Sequence, residues 1–435
     1  MNTRTSLQLK FLVFVQSVFA LSLASPEVAS AAVDLKDTNY PIPAGAYFVS
    51  PDGGNSNSCK SFNSPCSVEK AIASAPSGAT IVFKDGIYRN VDTNINKKLT
   101  LQAYPNAEPW LKGSVVVGDW VPEGNKWRKD GWNYSFKPLK STFVDPKYPM
   151  GRYPDMVYVN GVALKQVGSK AQVVPGKFYV DNAQNKLYIG NNPAGKTVEA
   201  TAMKKAFALT RKGSSTVIRG LGFAHFAERA ILVMADKATL ENNTFVWNGL
   251  SGIWLYGATN VALRGNNASY NGMVGIEAHK ADRLLLENNS ISFNNIEQFA
   301  RTWSGAGTKI MQTTGLTLRN NLVENNLATG IWLDGSVYKS TVTGNTSRNN
   351  ASIGIQHELS HLGTVSGNLV ANNGAGIMLA DSSSIQVRNN VLVNNKNKKP
   401  IIVKDSTRVN KDKAEVAKGI KWINRNNVIN NNTFR

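Results

Sequence analysis

The chain has 435 residues, with 49 basic against 29 acidic side chains, a formal charge of +20 and only two cysteines. Two cysteines exclude a cysteine-based zinc cluster, because Cys59 and Cys66 have no companion pair. So strong a positive field favours polyanionic partners; it fixes the sign of the partner's charge but not an activity.

Arg4 and Lys10 precede an apolar run from Phe11 to Ala24 and the small residues Ala29-Ser30-Ala31. That order reads as a secretory signal peptide over 1–31, cleaved near Ala31, so the product is expected to be secreted or periplasmic. No later apolar stretch approaches the roughly 18 residues needed to cross a membrane. In an exported chain Cys59 and Cys66 are expected to form a local disulfide. Export and the dispersed lysines and arginines point to an anionic polysaccharide rather than nucleic acid as the partner, and a monomer is expected.

Residues 32–103 read as a cap and first coils. Tyr47-Phe48-Val49 is a strand candidate. Ser67 caps a short amphipathic helix through Ile72, suited to closing the end of a stacked fold. Ile81-Val82-Phe83 and Leu99-Thr100-Leu101 follow as strands. Over 104–200 the period is lost. This aromatic segment, with Trp110, Trp120, Trp127 and Trp132, is expected to be a β-rich excursion packed on the flank.

Residues 201–395 carry the regular coils. A pattern of about 23 residues is written seven times, marked by Asn243, Asn266, Asn289, Asn321, Asn345, Asn368 and Asn390, with a second asparagine five residues after each. Such a period predicts a parallel β-solenoid whose asparagines form ladders from coil to coil. Residues 396–435 turn basic and polar. They are read as a segment covering the last coil, with the asparagines of 426–432 as an alternative, imperfect extra coil.

A second register locates the candidate site. Five-residue strands align from Ala230–Met234 to Gly376–Ala380, with Ile in the second position of nearly all. If that position faces the core, the third and fifth face outward. In the middle coils these read Trp254/Tyr256, Glu277/His279, Lys309/Met311, Trp332/Asp334 and Gln356/Glu358. The one long departure from the period, 13 residues from Asn294 to Gly307, brings Glu297, Arg301 and Trp303 and is expected beside Glu277, Lys309 and Asp334.

Asp334 and Glu358 fall on neighbouring coils, with backbones about 4.8 Å apart. That suits a retaining carboxylate pair, with Asp334 as nucleophile and Glu358 as acid/base, or the reverse. Trp254, Tyr256, Trp303, Trp332 and Gln356 would contact the sugar, and Arg301 an acidic substituent. Lys309 offers another chemistry, abstraction of the C5 proton of a uronic acid. Glu277, Asp334 and Glu358 would then be Ca²⁺ ligands, whereas hydrolysis requires no cofactor. His279 is placed to assist either scheme. His357 falls in the inward column, and His361, just past the strand, is expected to overlook the cleft.

With its opening Tyr47-Phe48-Val49-Ser50-Pro51-Asp52-Gly53-Gly54 and its Asn-rich repeats, the chain resembles the secreted right-handed parallel β-helix (pectin-lyase-like) superfamily of carbohydrate-active proteins. The resemblance implies an all-β fold: a right-handed, single-stranded parallel β-helix with a capping helix and a β-rich insertion. It also implies polysaccharide hydrolysis, elimination or epimerisation, or glycan binding as in an adhesin. The pectate-lyase aspartate set, the polygalacturonase triple aspartate and the Asp-Pro-His motif of alginate epimerases are missing, so no catalytic set carries over.

Overall fold

The computed structural model describes residues 33–435 apart from 412, 418 and 419; the leader expected over 1–31 lies outside them. The chain winds as an all-β parallel solenoid with three long sheets of twelve, eleven and ten strands. Each coil contributes one strand to each sheet in turn, as in Thr239–Glu241, Thr244–Val246 and Ser251–Tyr256. Stacking aligns like with like: Ile231, Ile253 and Ile276 pair in register and are fully buried, as are Val233, Leu255 and Ala278. Removing these columns from water is the main favourable term.

The asparagines hold the corners. At each one the preceding residue is left-handed, as at Asn242 and Asn288, and turns the chain so that the asparagine side chain points inward. Asn289 shows the recurring pattern. Its Nδ2 donates to Leu263 O at 2.9 Å and to Asn321 Oδ1 at 2.9 Å, while its backbone N–H also donates to Asn321 Oδ1. The corner therefore satisfies buried backbone groups that no strand can reach. The ladder passes through Asn390 to Asn432, so the C-terminal stretch does form an extra coil.

At the N-terminus a helix spans Val68–Ser74, and the Ser67 side chain accepts from Lys70 N–H at 3.2 Å. Cys59 and Cys66 are joined in a disulfide. The aromatic excursion begins later than its composition suggests. Pro109–Lys112 is still a strand of the eleven-stranded sheet, so Trp110 belongs to a coil. The chain leaves after Gly113 and returns there, since Gly113 O accepts from the N–H groups of both Ala202 and Met203. A side chain at Gly113 would collide with Phe226.

Between these points lie a four-stranded and a five-stranded sheet, with their own core of Trp132, Val157, Phe178 and Leu187. Tyr158 of the excursion stacks on His225 at 3.8 Å, and Glu199 pairs with Arg89 and Lys112. Burial lowers the His225 pKa to about 3. An aromatic column at left-handed corner positions continues the same seam: Trp247 stacks on Tyr270 at 4.8 Å, and Tyr270 on Phe293 at 4.9 Å.

Candidate active-site groove

The outward face of the ten-stranded sheet carries the register read from the sequence. Trp254, Glu277, Lys309, Trp332 and Gln356 pair in one column, and Tyr256, His279, Met311, Asp334 and Glu358 in the next. At about 4.8 Å per rung, the first column spans about 19 Å.

Two walls flank this face. On the side where the strands begin, the long loop after Asn294 is closed by Asn295, whose side chain bonds Phe299 N–H and Phe299 O at 2.8 and 3.0 Å. Phe299 bridges to Val144 of the excursion, and Ser304 Oγ donates to Phe143 O at 2.6 Å, so excursion and loop brace each other. On the side where the strands end, the segment after Lys404 folds back. Ser406 and Arg408 fasten it to Asp381, which is fully buried and accepts from Ser406 N–H, Ser406 Oγ and the guanidinium. Despite the cost of burial, these donors hold the Asp381 carboxyl below its ordinary pKa.

Inside the groove the charges are matched. Lys309, only 6% exposed, lies 3.0 Å from Asp334 Oδ2, donates to Trp303 O at 2.6 Å and sits 3.6 Å over the Trp332 ring. Glu358 receives three donors: Trp332 Nε1 at 3.0 Å, Gln356 Nε2 at 2.8 Å and Arg408 Nη1 at 2.5 Å. Glu277 pairs with Arg229 at 3.3 Å, and that guanidinium lies 4.1 Å from the Trp254 ring. His279 Nε2 contacts Gln312 Oε1 at 2.6 Å.

Several expected positions change. Trp332 is buried to 2% beneath Lys309 and braces Glu358, so its ring is not free to stack on a ligand. Gln356 is likewise buried and turned to Glu358. His361 does not overlook the groove. It lies buried on the twelve-stranded sheet, with Nδ1 2.7 Å from Ser383 Oγ, because the chain has already turned the corner. Glu297 packs at Gly272, away from the Lys309 rung, and burial raises its pKa to about 7. His357 is in the core as its column requires, and burial lowers its pKa to about 4. Exposed at the groove are Tyr256 (40%), Trp303 (60%) and Arg301.

Arg229 and Arg408 were missed. Arg229 stands one residue before the aligned pentads, in a coil whose outward pair is apolar. Arg408 comes from the basic tail, and no sequence signal ties it to Glu358.

Two family models match the chain, each over less than half of it: one described as a right handed beta helix region over residues 209–337, the other as the periplasmic copper-binding protein NosD over residues 296–413. No curated protein sequence matches. Among solved structures, that of XylC in complex with xylose has a TM-score of 0.59 at 14% identity, covering 82% of this chain and 70% of its own. A glycoside hydrolase has a TM-score of 0.57 at 12% identity, covering 90% and 97%. The A-module of Azotobacter vinelandii mannuronan C-5 epimerase AlgE6 has 0.51 at 14%, covering 84% and 80%. At these identities the likeness defines the fold, a right-handed parallel β-helix of the pectin-lyase-like type.

Copper does not suit the residues present. Both cysteines are in the disulfide, and among the described residues no three His, Cys, Asp or Glu side chains converge as a metal site. Within the matched stretch, His357 is enclosed in the core and His361 faces Ser383.

Proposed function

We propose that this groove binds a polysaccharide and that Asp334 and Glu358 cleave it as a retaining glycoside hydrolase in an exported protein. The reading is carried by one observation. Two carboxylates stand on facing rungs, each held by its own cation, in a walled groove with exposed aromatic rings at Tyr256 and Trp303. The carbohydrate chemistry named for the fold's neighbours agrees with it.

The hydrogen bonds favour one assignment of roles. Three donors converge on Glu358 and fix its position, which suits the carboxylate that attacks the anomeric carbon. Asp334 has one charged partner, Lys309, against the three donors on Glu358, so of the two it is assigned to protonate the leaving oxygen and then take a proton from water. The glycosyl–Glu358 ester formed in the first step is hydrolysed in the second. This reverses the assignment placed first in the sequence reading. Arg301 at the rim is the cation open to an acidic substituent.

Lys309 supports a second reading, elimination at a uronic acid, because it lies buried at the centre of the groove. The two separate on a panel of acidic and neutral polysaccharides, with and without Ca²⁺, following reducing ends and ultraviolet absorbance together. Reducing ends without absorbance are expected, and they should be lost in Asp334→Asn and in Glu358→Gln. Absorbance rising with reducing ends would sink hydrolysis and make Lys309 the base. Binding that survives both substitutions, with neither signal, would leave a glycan-binding solenoid.

A further inference from the structure

The excess of positive charge does not lie in the groove, where Arg229, Lys309 and Arg408 face Glu277, Asp334, Glu358 and Asp381. On the twelve-stranded face Arg219, Arg264 and Arg319 pair with Glu241 and Glu287. One row of exposed cations lies at a corner of the coil, where the ten-stranded sheet turns into the twelve-stranded one. Arg211, Lys212, Lys237, Lys280, Arg283 and Lys339 are all exposed there.

The backbone at this corner makes the placement costly. Lys237, Lys280, Arg283 and Lys339 have φ of 57°, 57°, 52° and 52°, and among the described residues they are the only lysines or arginines in the left-handed region. Left-handed positions at the other two corners of the regular coils carry Asn, Gly or aromatic residues. Glycine and asparagine adopt this conformation with least strain, and other side chains are disfavoured by roughly 1 kcal/mol or more. The acidic neighbours are turned inward: Asp236 Oδ1 accepts from Thr259 N–H at 2.7 Å, and Asp282 Oδ1 from Thr314 N–H at 2.8 Å. The cationic side chains stand outermost. Lys237, Lys280 and Lys339 have no side-chain partner among the described residues, and Arg283 bonds only the neutral Asn260.

The row also has a spacing. Backbone N–H groups of Lys237, Asn260, Arg283 and Gly315 donate to Thr259 O, Asp282 O, Thr314 O and Tyr338 O, each the residue before the next member of the row. Lys237, Asn260, Arg283, Gly315 and Lys339 therefore stand on successive coils, and cations recur every second coil, about 10 Å apart. We propose that this corner is an anchoring strip for an anionic polysaccharide that carries about one charge per disaccharide. The strip is separate from the groove and holds or fails whichever reaction the groove performs. Along the axis of a nucleic-acid duplex each strand places a phosphate about every 3.4 Å, much denser than this row. A membrane presents a plane, whereas the strip is a line one corner wide.

The test is salt-dependent binding of the full chain to hyaluronate, in which a uronate alternates with a neutral sugar, with neutral dextran, phosphatidylglycerol vesicles and single-stranded DNA as the other arms. Lys237→Asn, Arg283→Asn and Lys339→Asn combined should weaken hyaluronate binding roughly ten-fold or more at low salt. Asparagine suits the left-handed backbone, so the thermal midpoint should not fall. The comparison variant, Lys396→Asn, Lys398→Asn and Lys399→Asn combined, removes as many exposed cations elsewhere and should keep nearly full binding. Equal losses in the two triple variants, or no binding by the unaltered protein, would overturn the strip. So would tighter, strip-dependent binding to vesicles or DNA, which would give the strip to that polymer instead.

Discussion

The asparagine corners and the outward face of the ten-stranded sheet share one repeat and obey opposite rules. At the corners each coil presents the same unpaired backbone groups, so each coil carries the same solution, Asn243 through Asn432. On the outward face the backbone is already satisfied by the sheet and asks for nothing. There the coils diverge into Trp254, Glu277, Lys309, Trp332 and Gln356. Repetition marks what stacking requires; variation within a strict repeat marks what stacking leaves free for chemistry.

The sharpest break of this contrast separates activity from stability. Glu358→Gln and Asp334→Asn should each lower kcat by roughly 10³-fold or more while moving the unfolding midpoint little, as read from rates on the active polysaccharide and from urea denaturation. Asn321→Ala should do the reverse. It removes two bonds accepted from Asn289 and two donated to Leu286 O and Asn345 Oδ1. Denaturation should show a loss of about 3 kcal/mol, with kcat retained by the protein that remains folded. An Asn321→Ala variant of full stability would remove the ladder from the account of the fold.

Smaller effects sharpen the comparison. Trp303→Ala and Tyr256→Ala should raise KM by roughly ten-fold with kcat nearly kept, as loss of exposed sugar-stacking surface would give; a drop in kcat alone would place these rings outside the binding path. Glu297 tests the seam between loop and excursion. Its folded pKa, raised to about 7 by burial, means the folded state holds a proton that the unfolded state gives up. Its effect is nil below the unfolded value, and stability falls as pH rises from about 4.5 to about 7. The stability difference between Glu297→Gln and the unaltered protein should grow over that window, by on the order of 3 kcal/mol; a flat difference would mean the carboxyl is solvated.

Local repetition made much of this legible. The two asparagine columns and the alternating isoleucines carry coil, corner and facing direction, because each coil chiefly contacts its neighbours and the signal recurs about every 23 residues. The outward residues were readable for the same reason. What could not be read were contacts made once. Arg408 reaches Glu358 from 50 positions away, and Ser304 meets Phe143 across 161. The burial of Trp332 comes with Lys309 lying over its ring and Glu358 taking its N–H, contacts that periodicity says nothing about. His361 was misplaced by a few residues of chain, the distance needed to round a corner.

The tail that carries Arg408 has a consequence for how the protein is made. Coils that lean on their neighbours can be laid down in order as the chain emerges. The acidic rung at Glu358, however, is delivered long before its guanidinium partner. Until Ser406 and Arg408 dock on Asp381, that carboxylate lacks its cation and the groove lacks its second wall. Competence is therefore reached only once Ser406 and Arg408 have emerged, and a ribosome-stalled or clipped product ending before Ser406 would keep most of the described solenoid and still lack a finished site.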